Sequence, residues 1–274
     1  MKIIINGAGG KMGHMLADMA GSENVAALVD VAFETADGKY HALDDFTGNA
    51  DCVIDFSNHA ATKAVTSYCV KRNLPVLIAS TGQTDDETAI IREASKHIPV
   101  FISPNMSVGV ALVADIAERV ARLFGDCDIE MIEAHHNQKL DVPSGTALML
   151  ANRIMDARND PSVLRTPPLT QERQEDNAPL DKGERATQWR GGYLNIGRHE
   201  NGKRSPSEIG IHSLRYGSEV GTHEIIFSNG LETITIRHDA KNRALFARGA
   251  LSAAKWLVNK KPGLYGMSDY ISEA

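Results

Sequence analysis

Cysteine is scarce in this chain. Three among 274 residues, Cys52, Cys69 and Cys127, stand far apart with no C-x-x-C pair. An odd, sparse set excludes a disulfide framework and a thiolate zinc site, and is expected of reduced thiols in the cytoplasm. Basic charge is short as well: 29 Lys and Arg against 35 Asp and Glu leave a net charge of −6. A nucleic-acid partner needs a basic face to neutralise phosphates, so that class is excluded. No apolar run approaches the roughly 20 residues that cross a bilayer, which excludes a membrane-spanning helix. Internal repeats are missing. Met1-Lys2-Ile3-Ile4-Ile5-Asn6 runs straight into a strand pattern, and no signal peptide is expected.

What is present is an alternation of strand and helix patterns over the first hundred residues. Ile3-Ile4-Ile5, Val25 to Val29, Val53-Ile54, Pro75 to Ala79 and Pro99 to Ile102 read as buried strands. Met12, Met15, Leu16 and Met19 recur at helical spacing, and residues 60–71 and 86–96 read as helices. Strands alternating with helices imply a doubly wound parallel sheet, a Rossmann-like α/β domain. From about Ser107 the pattern changes. A long helix is expected over 108–124, then a strand over 128–132, then another helix. Residues 158–185 are polar and hold four prolines, which reads as an extended loop. Strands of antiparallel character are expected over 208–214, 222–227 and 232–237, with Asn229-Gly230 as a hairpin turn. A last helix is expected over 243–259. The expected division is a dinucleotide-binding domain, 1–106 with 243–274, and a second α+β domain, 107–242, carrying an open mixed sheet. Open sheet edges are usually covered or paired, so association through that sheet is expected.

Gly7-Ala8-Gly9-Gly10-Lys11-Met12-Gly13 lies between the first strand and the first helix. Glycines at 7, 10 and 13 allow a tight turn, a close approach to a pyrophosphate, and helix–strand packing. The spacing is G-x-x-G-x-x-G, because position 12 is Met. Asp30, twenty residues past Gly10, ends the second strand, where a carboxylate accepts from the ribose hydroxyls of NAD. It repels a 2′-phosphate, whereas Lys11 would attract one, so NADH is favoured and NADPH tolerated. Ala79-Ser80-Thr81 and Ser103-Pro104-Asn105-Met106 follow the fourth and fifth strands, at the carboxyl ends where such sheets bind ligands.

The densest chemistry lies in Glu133-Ala134-His135-His136-Asn137-Gln138-Lys139, followed by Asp141-Val142-Pro143-Ser144-Gly145-Thr146-Ala147. Two imidazoles and an amine stand at a strand end. Ser144 is placed to cap the next helix, whose first N–H groups form a socket for an anion. Proton donors beside such a socket point to chemistry on a small carboxylate. The other histidines show no metal-ligand spacing, and no metal is expected.

The Gly7–Gly13 loop and the His135-His136 segment, with Val53-Ile54-Asp55-Phe56-Ser57, Ala79-Ser80-Thr81-Gly82, Pro104-Asn105-Met106-Ser107-Val108-Gly109-Val110 and Val220-Gly221-Thr222-His223, resemble the 4-hydroxy-tetrahydrodipicolinate reductase (dihydrodipicolinate reductase) family of the diaminopimelate–lysine pathway. The resemblance covers essentially the whole chain in order, and its central block is highly specific. It departs in two places: Met106 stands where the family often has an aromatic, and Val31 where many members have a basic residue after the acid. The second departure bears on NADPH use, not on the reaction. The resemblance implies hydride transfer from NADH or NADPH to a cyclic dicarboxylate imine. It implies His135 as acid/base, Lys139 as proton donor, and His136, Ser144, Gly145 and Thr146 as holders of the substrate carboxylates. It further implies that Gly7, Ala8, Gly9, Gly10, Lys11, Met12, Asp30, Ala79, Ser80, Thr81, Ser103, Pro104, Asn105 and Met106 bind the cofactor, and that the protein is a cytoplasmic homotetramer. Two rivals remain open: an amino-acid dehydrogenase on the same plan, such as one oxidising diaminopimelate, which would not need the paired histidines, and a non-catalytic nicotinamide-binding sensor, which could dispense with His135 or Lys139.

Overall fold

The computed structural model describes residues 1–159, 186–189, 192–196, 203–205 and 207–273. The chain divides into two units, residues 1–111 with 242–274 and residues 112–241.

The first unit is built on strands with no polar face. β1 (Ile3–Asn6), β4 (Cys52–Asp55) and β5 (Val76–Ile78) are buried at every position. Such strands must be covered on both sides, which favours a parallel sheet between helical layers. With β2 (Val25–Val29), β3 (Lys39–Tyr40), β6 (Pro99–Ile102) and β13 (Gly263–Tyr265) they form seven parallel strands in the order β13-β6-β5-β4-β1-β2-β3. Alternate residues feed two cores. Ile3, Ile5, Ile54, Leu77 and Phe101 pack with α1 (Lys11–Ala20) and α6 (Ala244–Leu257). Ile4, Val53, Val76, Ile78 and Val100 pack with α2 (Thr62–Arg72) and α3 (Asp85–Ala94). On α6 the buried side is mostly small, Ala247, Gly249, Ala250, Ala253 and Ala254, so its backbone lies close to its neighbours. A Cβ on Gly249 would stand 1.8 Å from the Met106 carbonyl oxygen. The doubly wound sheet expected from the sequence is present; the short β3 and β13, and α7 (Met267–Glu273), carried too few residues to show a period.

The second unit begins within α4 (Val108–Leu123). It contains β7 (Asp128–His135), α5 (Gly145–Asn159), β8 (Ala186–Trp189), β9 (Gly192–Ile196), β10 (Glu208–Arg215), β11 (Gly221–Ser228) and β12 (Thr233–Ala240). The six-stranded sheet runs β12-β11-β7-β10-β9-β8. Residues 208–214 correct one expectation. They pair with β7 in parallel, not antiparallel, and with β9 in parallel as well. A strand reached through a long connection containing a helix returns in its original direction, and α5 lies between β7 and β10. The β11–β12 hairpin is antiparallel as expected, turning at Asn229-Gly230, with Gly230 at φ +82. Ile129, Met131, Ile209, Ile211, Ile225 and Phe227 face α4 and α5 to form the core. Arg158 and Asn159 close α5; the rest of the expected loop, 160–185, lies outside the described residues.

Because Gly249 meets backbone rather than a movable side chain, Gly249→Ala forces α6 outward. It should lower stability by about 1–3 kcal/mol, the usual cost of overpacking. The denaturant midpoint reads it; an unchanged midpoint would show that α6 and the Met106 backbone part without cost.

Candidate active site

Two clusters of polar groups lie at carboxyl ends of strands, one in each unit.

In the first unit the loop after β1 is shaped by contacts that leave no space for a side chain. Gly7 has φ +79, and a Cβ there would stand 2.7 Å from the Phe56 carbonyl carbon and the Ser57 nitrogen. A Cβ on Gly13 would stand 2.3 Å from the Gly7 oxygen. Gly10 caps α1 in extended conformation without a side-chain bond to the helix. Asp30, at the end of β2, accepts hydrogen bonds from Gly9 N–H and Ala32 N–H, each at 2.9 Å. A cavity of about 590 Å³ opens here, with Gly7, Gly10, Asp30, His41, Asp44 and Ser57 among its lining residues. Among the described residues, two carboxylates and no Lys or Arg line it. Lys11 is exposed at the start of α1.

Asp55, buried at the end of β4, was not singled out by the sequence reading. It accepts from Asn6 Nδ2 at 2.7 Å, from Ser57 Oγ at 2.5 Å and from Ser80 Oγ at 3.1 Å. This ties the ends of β1, β4 and β5 together. Ser80 is therefore engaged with Asp55, between half-buried Ala79 and exposed Thr81. Ser103 Oγ donates to the Asn105 carbonyl at 2.7 Å, and Pro104 is exposed. The side chains of Ala8 and Met106 are buried in the core, and Met12 packs against it. Any contact of Ala8 or Met106 with a bound molecule would run through the backbone.

In the second unit, strand alternation sends Ile129, Met131, Glu133 and His135 to the helix-covered side of β7. The registers then set Arg215 beside His135 across β10, and His223 opposite Glu133 across β11. Glu133 is fully buried. Its Oε2 lies 2.5 Å from His135 Nδ1, and its Oε1 accepts from Arg215 Nη2 at 2.8 Å and from Ser144 N–H at 3.3 Å. Burial pushes its carboxyl up, but the bonds from His135 and Arg215 outweigh this and hold it down at about 2. Ser144 Oγ caps α5 by accepting from Ala147 N–H at 3.2 Å, and lies 3.2 Å from His223 Nε2. The His223 ring stands edge-on to His135, with centroids 5.3 Å apart. Burial first, then the charge of His135, pushes His223 down to about 4.

Lys139 Nζ sits 2.8 Å from Asp141 Oδ1. Burial raises the Asp141 carboxyl; bonds from Lys139 and from the backbone at Gly145 more than reverse this. Gly145 is exposed at the start of α5, a Cβ there would meet nothing within 4 Å, and Thr146 and His136 are half-buried. Ser144 is buried, its hydroxyl spent on the cap and on His223.

Residues 1–106 match the family model described as dihydrodipicolinate reductase, N-terminus, and residues 109–271 the one described as dihydrodipicolinate reductase, C-terminus. The chain belongs to the dihydrodipicolinate reductase family. A 4-hydroxy-tetrahydrodipicolinate reductase of Caldanaerobacter subterraneus subsp. tengcongensis is 38% identical, over 100% of this chain and 99% of that protein. One of Clostridium novyi is 38% identical over 98% of each. Among solved structures, dipicolinate-bound dihydrodipicolinate reductase from Paenisporosarcina sp. TG-14 shares the fold, with a TM-score of 0.73 at 24% identity over 98% of each chain.

Within this family member the sequence reading missed Glu133, Arg215 and His223 as partners of His135. Glu133 was legible as a same-face neighbour two residues away; Arg215 and His223 needed strand pairing. Glu133, His135 and His223 also present ligand atoms within 4.8 Å of one another, a grouping that spacing did not show. Donors around a tetrahedral zinc ion stand roughly 3.3 Å apart, given bonds of ~2.0–2.1 Å. At 2.5 Å, Glu133 and His135 are bonded to each other, and Arg215 already neutralises the carboxylate.

His223 has a folded value near 4 against 6.5 for the free group. Its folded value is lowered, so stability is complete above 6.5 and falls as pH drops from 6.5 to 4, by about 3 kcal/mol in all. Glu133 acts in a lower window, from 4.5 to about 2. Unfolding measured across pH 7 to 4 should show this slope, and His223→Gln should flatten it. An equal slope in the variant would assign it to other groups.

Proposed function

We infer that this chain catalyses the NAD(P)H-dependent reduction of 4-hydroxy-tetrahydrodipicolinate to tetrahydrodipicolinate, in the diaminopimelate route to lysine. The observation that carries the reading is the match of both halves of the chain, in order, to one reductase family whose curated relatives bear that name.

The residues present fit a dinucleotide. The Gly7–Gly13 loop packs too closely for any Cβ at 7 or 13, leaving backbone N–H groups at the start of α1 for a pyrophosphate. The cavity beside Asp30 has room for an adenosine and holds carboxylates instead of cations, which supports NADH over NADPH. The ends of β5 and β6, Ala79 to Thr81 and Ser103 to Met106, would carry the nicotinamide side. When bound, the nicotinamide supplies the hydride. We assign residues 1–106 with 243–274 to this task and 107–242 to substrate binding and association.

In the second unit His135 serves as acid/base, and Lys139 polarises the imine and delivers a proton. His136 and the turn Ser144-Gly145-Thr146 hold the substrate carboxylates. A carboxylate already lies against this turn: that of Asp141, which bonds Lys139 and the backbone at Gly145. Ser144 contributes through the cap it makes, and the open space at Gly145 leaves the helix start approachable. A cytoplasmic location accords with three unpaired cysteines. A homotetramer paired through the second unit's sheet accords with exposed Leu214 on the face away from the helices; light scattering showing a monomer would refute it.

The test is a coupled assay in which the upstream synthase supplies substrate and loss of NADH or NADPH is followed. Turnover with both is expected, with kcat/KM higher for NADH. Lys139→Ala should lower kcat about a hundredfold or more, the usual range for proton delivery, while NADH affinity holds. No oxidation of either cofactor would refute the activity, and wild-type turnover in the variant would refute the role of Lys139.

A further inference from the structure

We propose that Glu133 is the positioning residue of this site: it holds the His135 ring as the Nδ1–H tautomer, with Arg215 as its counter-charge, so that Nε2 is the nitrogen that exchanges protons with substrate. The proposal rests on the reading of His135 as acid/base and adds which atom acts and what aims it.

An ionised carboxylate only accepts hydrogen bonds. With Oε2 at 2.5 Å, His135 Nδ1 is therefore the donor whether the ring is neutral or charged. Glu133 has no freedom to turn away. It is fully buried, and Oε1 is held by Arg215 Nη2 and Ser144 N–H, from β10 and the start of α5. Its acidity, held at about 2, keeps it ionised, so it does not compete with Nε2 for the proton. The opposite side of the ring meets Gly221: a Cβ there would stand 3.0 Å from Nε2, so glycine leaves the working nitrogen its space. Arg215 Nη2 also donates to the Asp141 carbonyl at 2.7 Å. One guanidinium thus fixes both the anchor of His135 and the segment that carries Lys139. In the catalysed cycle the one proton that accompanies the hydride comes from Lys139 and is regained from water; whatever proton His135 gives and takes back as acid/base passes through Nε2, while Nδ1 keeps its own throughout.

The experiment compares wild type with Glu133→Gln, Glu133→Asp, Gly221→Ala and His135→Asn. It reads kcat in the coupled assay, NADH binding by fluorescence, and ring tautomers by NMR of ¹⁵N-labelled histidine. The ring signal absent from His135→Asn should report Nδ1–H in wild type. Glu133→Gln should lower kcat about a hundredfold or more, since a misoriented or wrong-tautomer imidazole costs up to ~10⁴-fold in comparable dyads. NADH binding should hold, and the Nδ1–H signal should give way to a mixture. Glu133→Asp, which keeps the charge, should retain the tautomer and more of the rate. Gly221→Ala leaves the Glu133–Arg215 pair intact yet crowds Nε2; it should keep the Nδ1–H signal and lose about tenfold or more in kcat, and it serves as the test if Glu133→Gln does not fold. An Nε2–H ring in wild type, or wild-type kcat in Glu133→Gln or in Gly221→Ala, would overturn the proposal. Wild-type kcat in His135→Asn would instead overturn the acid/base reading beneath it.

Discussion

A carboxylate with no access to water must be met by donors from whatever surrounds it, and in the second unit those donors come from three different places. Glu133 is met by His135 Nδ1 on β7, by Arg215 on β10, and by the Ser144 N–H at the start of α5. Removing one partner from a buried charged pair typically costs about 3–5 kcal/mol, because the other charge stays behind unpaired. The parallel register of β7 with β10 is the one that sets Arg215 beside His135, so the pairing of those strands and the pairing of those charges enforce each other. Capping α5 follows from the same arrangement: with its N–H on Glu133, Ser144 turns its hydroxyl to Ala147 N–H and to His223.

The first unit solves a similar problem with neutral partners. Asp55 is as buried as Glu133, yet its bonds come from an amide, two hydroxyls and the Ser57 N–H. Neutral donors fix the ends of β1, β4 and β5 without bringing a cation to the cavity beside Gly7. The charged groups among that cavity's described lining residues are then the carboxylates of Asp30 and Asp44. In the second unit a cation does meet the buried carboxylate: Arg215 bonds Glu133, whose carboxyl is held low by its bonds from His135 and Arg215.

What could be read from residues alone follows from which forces are local. Buried strands announce themselves by unbroken apolar runs such as Ile3-Ile4-Ile5, and the Gly7–Gly13 loop by its glycines between a strand and a helix. Ser144 was legible as a cap because capping is an interaction between near neighbours. Strand direction was not legible: nothing within residues 208–214 distinguishes a parallel from an antiparallel partner, and the deciding fact is the route of the connection through α5. Arg215 and His223 were missed for the same reason. They lie 82 and 90 positions from Glu133 in the chain's numbering, and only the registers of β10 and β11 bring them to it. Ser80 and Met106 show a subtler limit. A residue in the right loop can turn its side chain inward, to Asp55 or to the core, and present only backbone.

The charges around His135 then add up in a way that fits an acidic ligand. Glu133 and Arg215 cancel. His223, kept neutral by burial at ordinary pH, adds nothing, although a charged ring 5.3 Å away would have opposed any proton on His135. Among the described residues Lys139 is balanced by Asp141, whose side chain is more than half exposed and so gives up little hydration by binding it. A dicarboxylate that displaces Asp141 from the Lys139 amine and the Gly145 backbone would trade one anion for another of greater charge, at a helix start that favours negative charge. The buried pair supplies rigidity and no net field; the Lys139–Asp141 pair is open to solvent on the Asp141 side. Within the twelve residues from Glu133 to Ser144 the chain thus carries one ion pair fixed by burial and, on the proposed function, one that a substrate carboxylate would replace.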